Sequence, residues 1–281
     1  MIQFSSGCPQ KWICLVSLAS AGSAFGAEEA QPTAKGIQDN SFLVEEAYNQ
    51  EPGVVQHILN IRRSINRVSG SDERAWDFVF TQEWPVFSQT HQFSYTLPYS
   101  FLSGGGAPSV NGFGDVLLNY RFQALMETDS RPAFAPRFSL ILPTGDEDKG
   151  LGDDTLGYQL NLPFSKIVHD RLTLHANAGV TLLPDVQGRD PVSFNLAGSA
   201  IYAVTPRFNL MLETVGEWNE TVSGGGIDRD FEAVISPGAR YAFNLSAGQL
   251  VLGIGAPIGL TKAAPDFGVI FYLSFEHRFK R

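Results

Sequence analysis

The feature that most limits what this chain can fold into is an alternation of apolar and polar residues, repeated along most of its length. In GDVLLNYRFQAL, Val116, Leu118, Tyr120, Phe122 and Ala124 are apolar, and Asn119, Arg121 and Gln123 between them are polar. RFNLMLETVGEW sets Phe208, Leu210, Leu212 and Trp218 against Arg207, Asn209, Glu213 and Glu217. DFGVIFYLSFEHRF puts Phe267, Val269, Phe271, Leu273, Phe275 and Phe279 on one face, and HQFSYTLPYSF does the same with Phe93, Tyr95, Leu97, Tyr99 and Phe101. Period two is the signature of a strand with one apolar face and one polar face.

About twelve such segments follow one another, near 54–67, 74–84, 90–101, 114–126, 133–143, 155–165, 171–183, 192–203, 207–218, 230–244, 248–259 and 266–279. Each is long enough for a tilted strand to cross a bilayer, which takes about 9–11 residues. In water every apolar face would need a core. A soluble sandwich or lipocalin-like barrel would leave Phe271, Leu273, Phe275 and Phe279 as an aggregation hazard. A lipid-facing wall accommodates all of them. The mean hydropathy of −0.04 does not argue against this, because alternation cancels the average. The expectation is an all-β fold: a transmembrane antiparallel up-and-down β-barrel of about 12 strands over residues 53–281, with a short periplasmic N-terminal segment.

The connections alternate too. SGGGAPSVNGFG, PTGDEDKGLGDD, LPDVQGRDP and NETVSGGGIDRD read as long external loops, whereas FSQTH, TDSRPA, SKIVHDR, VTPR and LSAG read as tight periplasmic turns. Outer-membrane barrels show this parity. Trp76, Trp84, Tyr99, Phe101, Phe164, Tyr202 and Trp218 fall near strand ends, where interfacial aromatic girdles sit.

Residues 1–26 read as a secretory signal peptide: Lys11, an apolar run from Trp12, then Ala24-Phe25-Gly26 as a cleavage site. Both cysteines, Cys8 and Cys14, lie within it, so the exported chain carries no disulfide or cysteine-based metal site. It would hold 19 basic and 29 acidic residues, a net charge of −10, which disfavours a nucleic-acid partner. Residues 27–52 form a periplasmic extension. Its SFLVEEAYNQ stretch predicts about two helical turns capped by Asn40 or Ser41, as a tether at the periplasmic mouth or a small plug entering the lumen.

With the apolar rows facing lipid, the polar rows face a lumen. They supply Asn60, Arg62, Glu83, Asn119, Arg121, Arg137, Gln159, Asn161, His175, Asn177, Asn195, Asn209, Glu213, Glu217, Glu232, Arg240, Glu276 and Arg278. Such groups either pair across and fill the interior or line a water-filled passage whose charges select solutes; the strand number favours a narrow passage. Nucleophilic catalysis would need a Ser, His and acid in reach. His91 and His169 read as turn residues and His57 and His277 as lipid-facing, leaving His175 with Ser193 or Ser199 as a minor candidate without a Gly-x-Ser-x-Gly elbow.

LPTGDEDKGLGDDT holds Asp146, Glu147, Asp148, Asp153 and Asp154. Its glycine comes one position early for a calcium loop, and the twelfth position is Gly157 where a bidentate Glu is needed. It reads as a solvated external acidic loop, with calcium binding a lesser alternative and no cofactor expected.

NSFLVEEAYNQEPGVVQHI, GFGDVLLNYRF and LPTGDEDKGLGDDTLGYQLNLPFSK resemble the MetA-pathway of phenol degradation family of exported barrels, and the resemblance runs from about Asn40 to Phe279. It implies an outer-membrane transporter with no catalytic residues. One departure is that Phe279 is followed by Lys280-Arg281, whereas outer-membrane barrels typically end on the aromatic that the assembly machinery reads. The expected partners are therefore outer-membrane lipid and lipopolysaccharide, the barrel assembly machinery and a small-molecule solute. The expected function is passive uptake of small solutes, a class that would include aromatic or hydrophobic ones. The alternatives are a non-conducting structural or adhesion barrel acting through its acidic loops, and a lipid-acting hydrolase.

Overall fold

The structure, a computed structural model, describes residues 37, 39–67 and 72–279. The signal-peptide reading and most of the polar stretch after it lie outside these residues. Twelve strands form one closed antiparallel sheet, each hydrogen-bonded to its sequence neighbours. They are β1 (Val54–Asn66), β2 (Glu73–Val86), β3 (Ser88–Gly104), β4 (Ala107–Phe113 and Val116–Phe122), β5 (Ala133–Phe134 and Arg137–Leu142) and β6 (Gly157–His169). The second half comprises β7 (Leu172–Leu182), β8 (Val192–Thr205), β9 (Phe208–Ser223), β10 (Gly226–Leu245), β11 (Gly248–Gly255 and Ile258–Gly259) and β12 (Phe267–Arg278). β12 pairs back onto β1 from Val54↔Arg278 to Ile65↔Phe267. That closure joins the first and last strands of the sheet and puts the start of β1 and the end of β12 at the same end of the barrel.

Three strands are interrupted, two of them beside a proline. Pro136 and Pro257 lack the N–H that a ladder needs, and β5 and β11 break beside them. β4 breaks at Gly114–Asp115, where the loop over residues 143–156 docks.

The alternation partitions as expected. In β9, Leu210, Leu212 and Trp218 point outward and are 43–49 % exposed, while Asn209, Met211 and Glu213 are at most 5 % exposed. In β12, Phe267, Phe271 and Leu273 point outward, and Ile270, Tyr272 and Ser274 are buried inside. Stacked pairs such as Trp218–Phe231, with ring centroids 4.7 Å apart, join neighbouring strands on the outer face.

Two of the four long loops turn out to be strand. Ala107–Phe113 pairs with β3 across Gly104–Gly106, and β9 and β10 pair up to Ser223↔Gly226. Gly224 and Gly225 form that turn with φ of 56° and 80°, the left-handed geometry of a tight hairpin. β10 has 20 residues, about twice what a bilayer crossing takes. These hairpins therefore continue beyond it as paired arms. On the opposite side, β2 and β3 are separated only by Phe87, so His91 lies within β3 rather than in a turn, its Nδ1 2.6 Å from Tyr120 Oη.

Candidate functional site: the lumen and its inserted segment

No helix forms in residues 39–52. The segment enters the barrel from the short-turn end, just before β1, and runs through the interior. Asp39, Ser41, Phe42, Val44, Glu46, Ala47, Asn49 and Gln50 are all at most 8 % exposed. The predicted helix is lost because the wall takes the hydrogen bonds it would need. Leu43 N and Val44 N both donate to Glu213 Oε1 (2.7 and 3.2 Å). Glu45 N donates to Asn177 Oδ1 at 2.8 Å, Ala47 N to Ser165 Oγ at 2.7 Å, Asn49 N to Gln123 Oε1 at 3.0 Å and Gln50 N to Gln92 Oε1 at 2.7 Å. Asn40 does not cap a helix; its Oδ1 accepts from Glu46 N, six residues on.

The carbonyls are held in the same way. Asn177 Nδ2 donates back to Glu45 O, Gln123 Nε2 to Ala47 O and Asn60 Nδ2 to Phe42 O. Arg121, 2 % exposed, donates to Glu46 O and Tyr48 O. Arg240 Nη1 donates to Asp39 O and Asn40 O.

Three side chains anchor the segment. The Glu45 carboxylate accepts from Arg137 Nε at 2.9 Å, Arg121 Nη1 at 3.2 Å and Asn161 Nδ2 at 2.7 Å. Asp39 accepts from Gln56 Nε2 (2.7 Å), Tyr272 Oη (2.6 Å) and Ser274 Oγ. Phe42 lies 5.1 Å from the Tyr272 ring, in a hollow that exists because the wall there is glycine. A Cβ at Gly238 would stand 2.8 Å from Phe42 Cε2, at Gly255 3.0 Å from Cδ2, and at Gly253 2.5 Å from Cε1.

The segment separates two cavities. One, of about 370 Å³ on the short-turn side, is bordered by Glu46, Tyr48, His175, Asn209 and Arg240. The other, of about 320 Å³, is bordered by Ser41, Leu43, Asn60, Thr96 and Asn119. The narrow passage favoured from strand number is thus occupied by the chain's own residues, and the segment lies within the barrel rather than at its mouth.

The residues assigned from alternation to the lumen divide by level. Asn119, Arg121, Asn161, His175, Asn177, Asn209, Glu213 and Arg240 are buried around the segment, while Arg137, Gln159, Glu232 and Glu276 are half-buried. Arg62, Glu217 and Arg278 are exposed; Arg278 approaches Glu51 within 4.0 Å at the short-turn rim. Sequence reasoning missed Phe42, Glu45, Gln92, Gln123, Ser165 and Tyr272.

His175 lies in register with Ser165 and Ser199. Its Nδ1 is 2.7 Å from Ser165 Oγ. That oxygen also accepts from Ala47, while Ser199 Oγ is 2.7 Å from Ser41 Oγ. Ser193 is elsewhere, accepting from Glu220 N. Both serines beside His175 are therefore engaged with the segment, and among the described residues no carboxylate hydrogen-bonds the imidazole.

The acidic loop 143–156 is folded. Asp115, at the break in β4, accepts from Thr144 N, Gly145 N and Asp153 N at 3.0, 2.8 and 3.3 Å. Asp146 caps a single 3-10 turn, Glu147–Lys149, and Gly150 closes it with φ 67°. Lys149, bonded to Asp146, holds that carboxyl below its usual range. Partial burial and the nearby Asp115 push Asp153 up. Glu147, Asp148 and Asp153 border an opening of about 510 Å³ opposite Glu220, Asp230 and Glu232. Lys149 borders a second, of about 520 Å³, with Glu73 and Arg74. Among the described residues no three His, Cys, Asp or Glu side chains are grouped to hold a metal ion.

The fold is similar to a COG4313 outer membrane channel from Pseudomonas putida F1, with a TM-score of 0.65 at 15 % identity over 83 % of this chain and 98 % of that one. It is also similar to the translocator domain of the autotransporter NalP from Neisseria meningitidis (TM-score 0.52, 12 % identity, 82 % and 90 % covered). A third is the transport unit of the autotransporter AIDA-I from Escherichia coli (0.50, 12 %, 85 % and 95 %). No curated protein matches the sequence. The fold is that of an outer-membrane β-barrel, and with residues 69–276 matching its sequence pattern the chain belongs to the MetA-pathway of phenol degradation family.

Proposed function

We propose that this protein is a channel of the Gram-negative outer membrane for small solutes, closed at rest by residues 39–50. The observation that carries this reading is the segment itself. It crosses a polar interior between two cavities, held by hydrogen bonds that water or a solute can replace. The short turns would face the periplasm and the β3–β4 and β9–β10 arms the exterior. The outward aromatics would sit in lipid and lipopolysaccharide, and β12 would be the strand the assembly machinery reads. An aromatic solute has a place to go, since the hollow of Gly238, Gly253 and Gly255 beside Tyr272 accepts a ring when Phe42 leaves it. The folded acidic loop over the outer openings would favour the approach of cations and neutral molecules over anions.

The test is planar-bilayer recording and liposome swelling on the wild type and on Phe42→Ala/Glu45→Ala. Brief, rare openings in the wild type and sustained conductance in the variant support the channel. Neither protein passing ions or solutes above an empty control sinks it.

A further inference from the structure

We propose that the lumen wall is a peptide-binding surface, and that acidic oligopeptides with an aromatic residue three positions before a glutamate are ligands that compete with residues 39–50. This rests on the reading of the segment as displaceable. The wall holds the segment through both its side chains and its backbone, and the backbone bonds follow a pattern specific to a main chain. Asn177 accepts from the N–H and donates to the C=O of one residue, Glu45. Gln123 accepts from Asn49 N and donates to Ala47 O, and Arg121 bridges the carbonyls of Glu46 and Tyr48. These one- and two-residue spacings belong to a peptide chain. A wall built only to be wet has no reason to match them.

Among the wall sites that receive the segment's side chains, two take residues three positions apart. The glycine hollow takes Phe42, and the Arg121–Arg137 pair takes Glu45. Capacity remains, too. Among the described residues, Asn161 Oδ1, Asn209 Oδ1, Glu213 Oε2 and Arg240 Nε are buried without a hydrogen-bond partner, so a ligand can satisfy groups that residues 39–50 leave open. The segment's advantage is its tether, which gives it an effective concentration of the order of millimolar. A free peptide therefore competes poorly until that advantage is removed.

The test uses a fluorescent synthetic peptide with the sequence of residues 39–50 and two forms of the full chain, both checked for the heat-modifiable migration of a folded barrel. In one, Phe42→Ala/Glu45→Ala weakens the segment and leaves the wall intact. In the other, a protease site between the exposed Glu51 and Pro52 makes the native segment exchangeable after cleavage, which covers the case where the double variant does not assemble. Binding to either form at least tenfold tighter than to the wild type, and at least tenfold weaker binding of a scrambled peptide, supports the inference. No binding to a freed barrel, or equal binding of the scrambled peptide, overturns it. Conductance separates the two readings: a freed barrel that conducts but ignores the peptide removes only the peptide inference, whereas one that binds the peptide but never conducts removes only the channel.

Discussion

Removing one ring should open the lumen by a calculable amount. Phe42 is 4 % exposed, and burying a Phe side chain stabilises by about 1.5–3 kcal/mol. Its tilted contact with Tyr272 at 5.1 Å adds roughly 0.5–1.5 kcal/mol. The hollow that the variant leaves empty in the closed state adds a cavity term, so the sum is a lower bound. Phe42→Ala also leaves the backbone hydrogen bonds of residues 43–50 intact. The expected cost is about 3 kcal/mol, or roughly a hundredfold rise in the fraction of barrels with the segment out, at about 1.4 kcal/mol per tenfold. Ser41→Cys reports it, since Ser41 is buried in the segment and the native Cys8 and Cys14 can be replaced by alanine. Maleimide labelling of a buried thiol tracks local opening, so its rate in Phe42→Ala should exceed the parent's by about two orders of magnitude. A rate within roughly threefold of the parent, in a barrel that keeps its heat-modifiable migration, would refute the view that Phe42 anchors the segment and that the glycines exist to hold it.

The same assay reads the wall. Arg121→Ala leaves Glu45 with Arg137 alone and Glu83, 3.8 Å from Arg121, without its cation; breaking a buried ion pair costs about 3–5 kcal/mol, so labelling should rise at least as much as for Phe42→Ala, with partial rescue by Glu45→Gln in the double variant. Gly253→Val drives a side chain into the Phe42 ring and should release the segment while denaturant midpoints of the barrel hold. Asp115→Ala removes the acceptor for three loop N–H groups and should speed tryptic cleavage after Lys149 at least tenfold. Asp153 has a raised pKa, so its neutral form favours the folded loop and that contribution fades as pH rises through its folded value; Asp146 is the reverse, contributing above its ordinary 3.8 and losing the effect only as pH falls through a lower value. As pH is lowered, Asp153 loses its charge while pH is still above 3.8, so cation preference, read as reversal potential, should begin to weaken there, and Asp153→Asn should remove that early part of the titration.

The strands were legible because lipid outside and a polar interior impose period two on every crossing, and a slip of one residue would invert both faces. Beyond the bilayer that constraint lapses. The Gly104–Gly106 and Gly224–Gly226 runs then look like loop, although they are tight turns on continued strands. The segment was illegible for another reason. SFLVEEAYNQ has helix-compatible residues, and what overrides them are side chains such as Gln92, Arg121, Gln123, Ser165, Asn177 and Glu213, remote in sequence. Two signals did exist. Ile270 and Tyr272 break the rule that inward positions are polar, and Gly238, Gly253 and Gly255 gather on inward positions of two adjacent strands. Together they mark a place prepared for a ring from elsewhere in the chain.

The energetics favour a closure that is secure yet reversible. Each hydrogen bond between wall and segment is exchanged for one to water when the lumen opens, so its net contribution is about 0.5–1.5 kcal/mol, and the buried ions regain hydration. The backbone ladder therefore sets the path and register of the segment more than its affinity. Phe42 in its hollow contributes what water cannot replace, and Glu45 between two arginines fixes the register, because either charge left buried alone would be costly. A solute that offers water-like hydrogen bonds alone gains nothing by displacing the segment. If solutes displace the segment as proposed, one that brings a ring and a carboxylate at the spacing of Phe42 and Glu45 would supply the terms that hold it shut, and discrimination in this lumen would fall on those two positions.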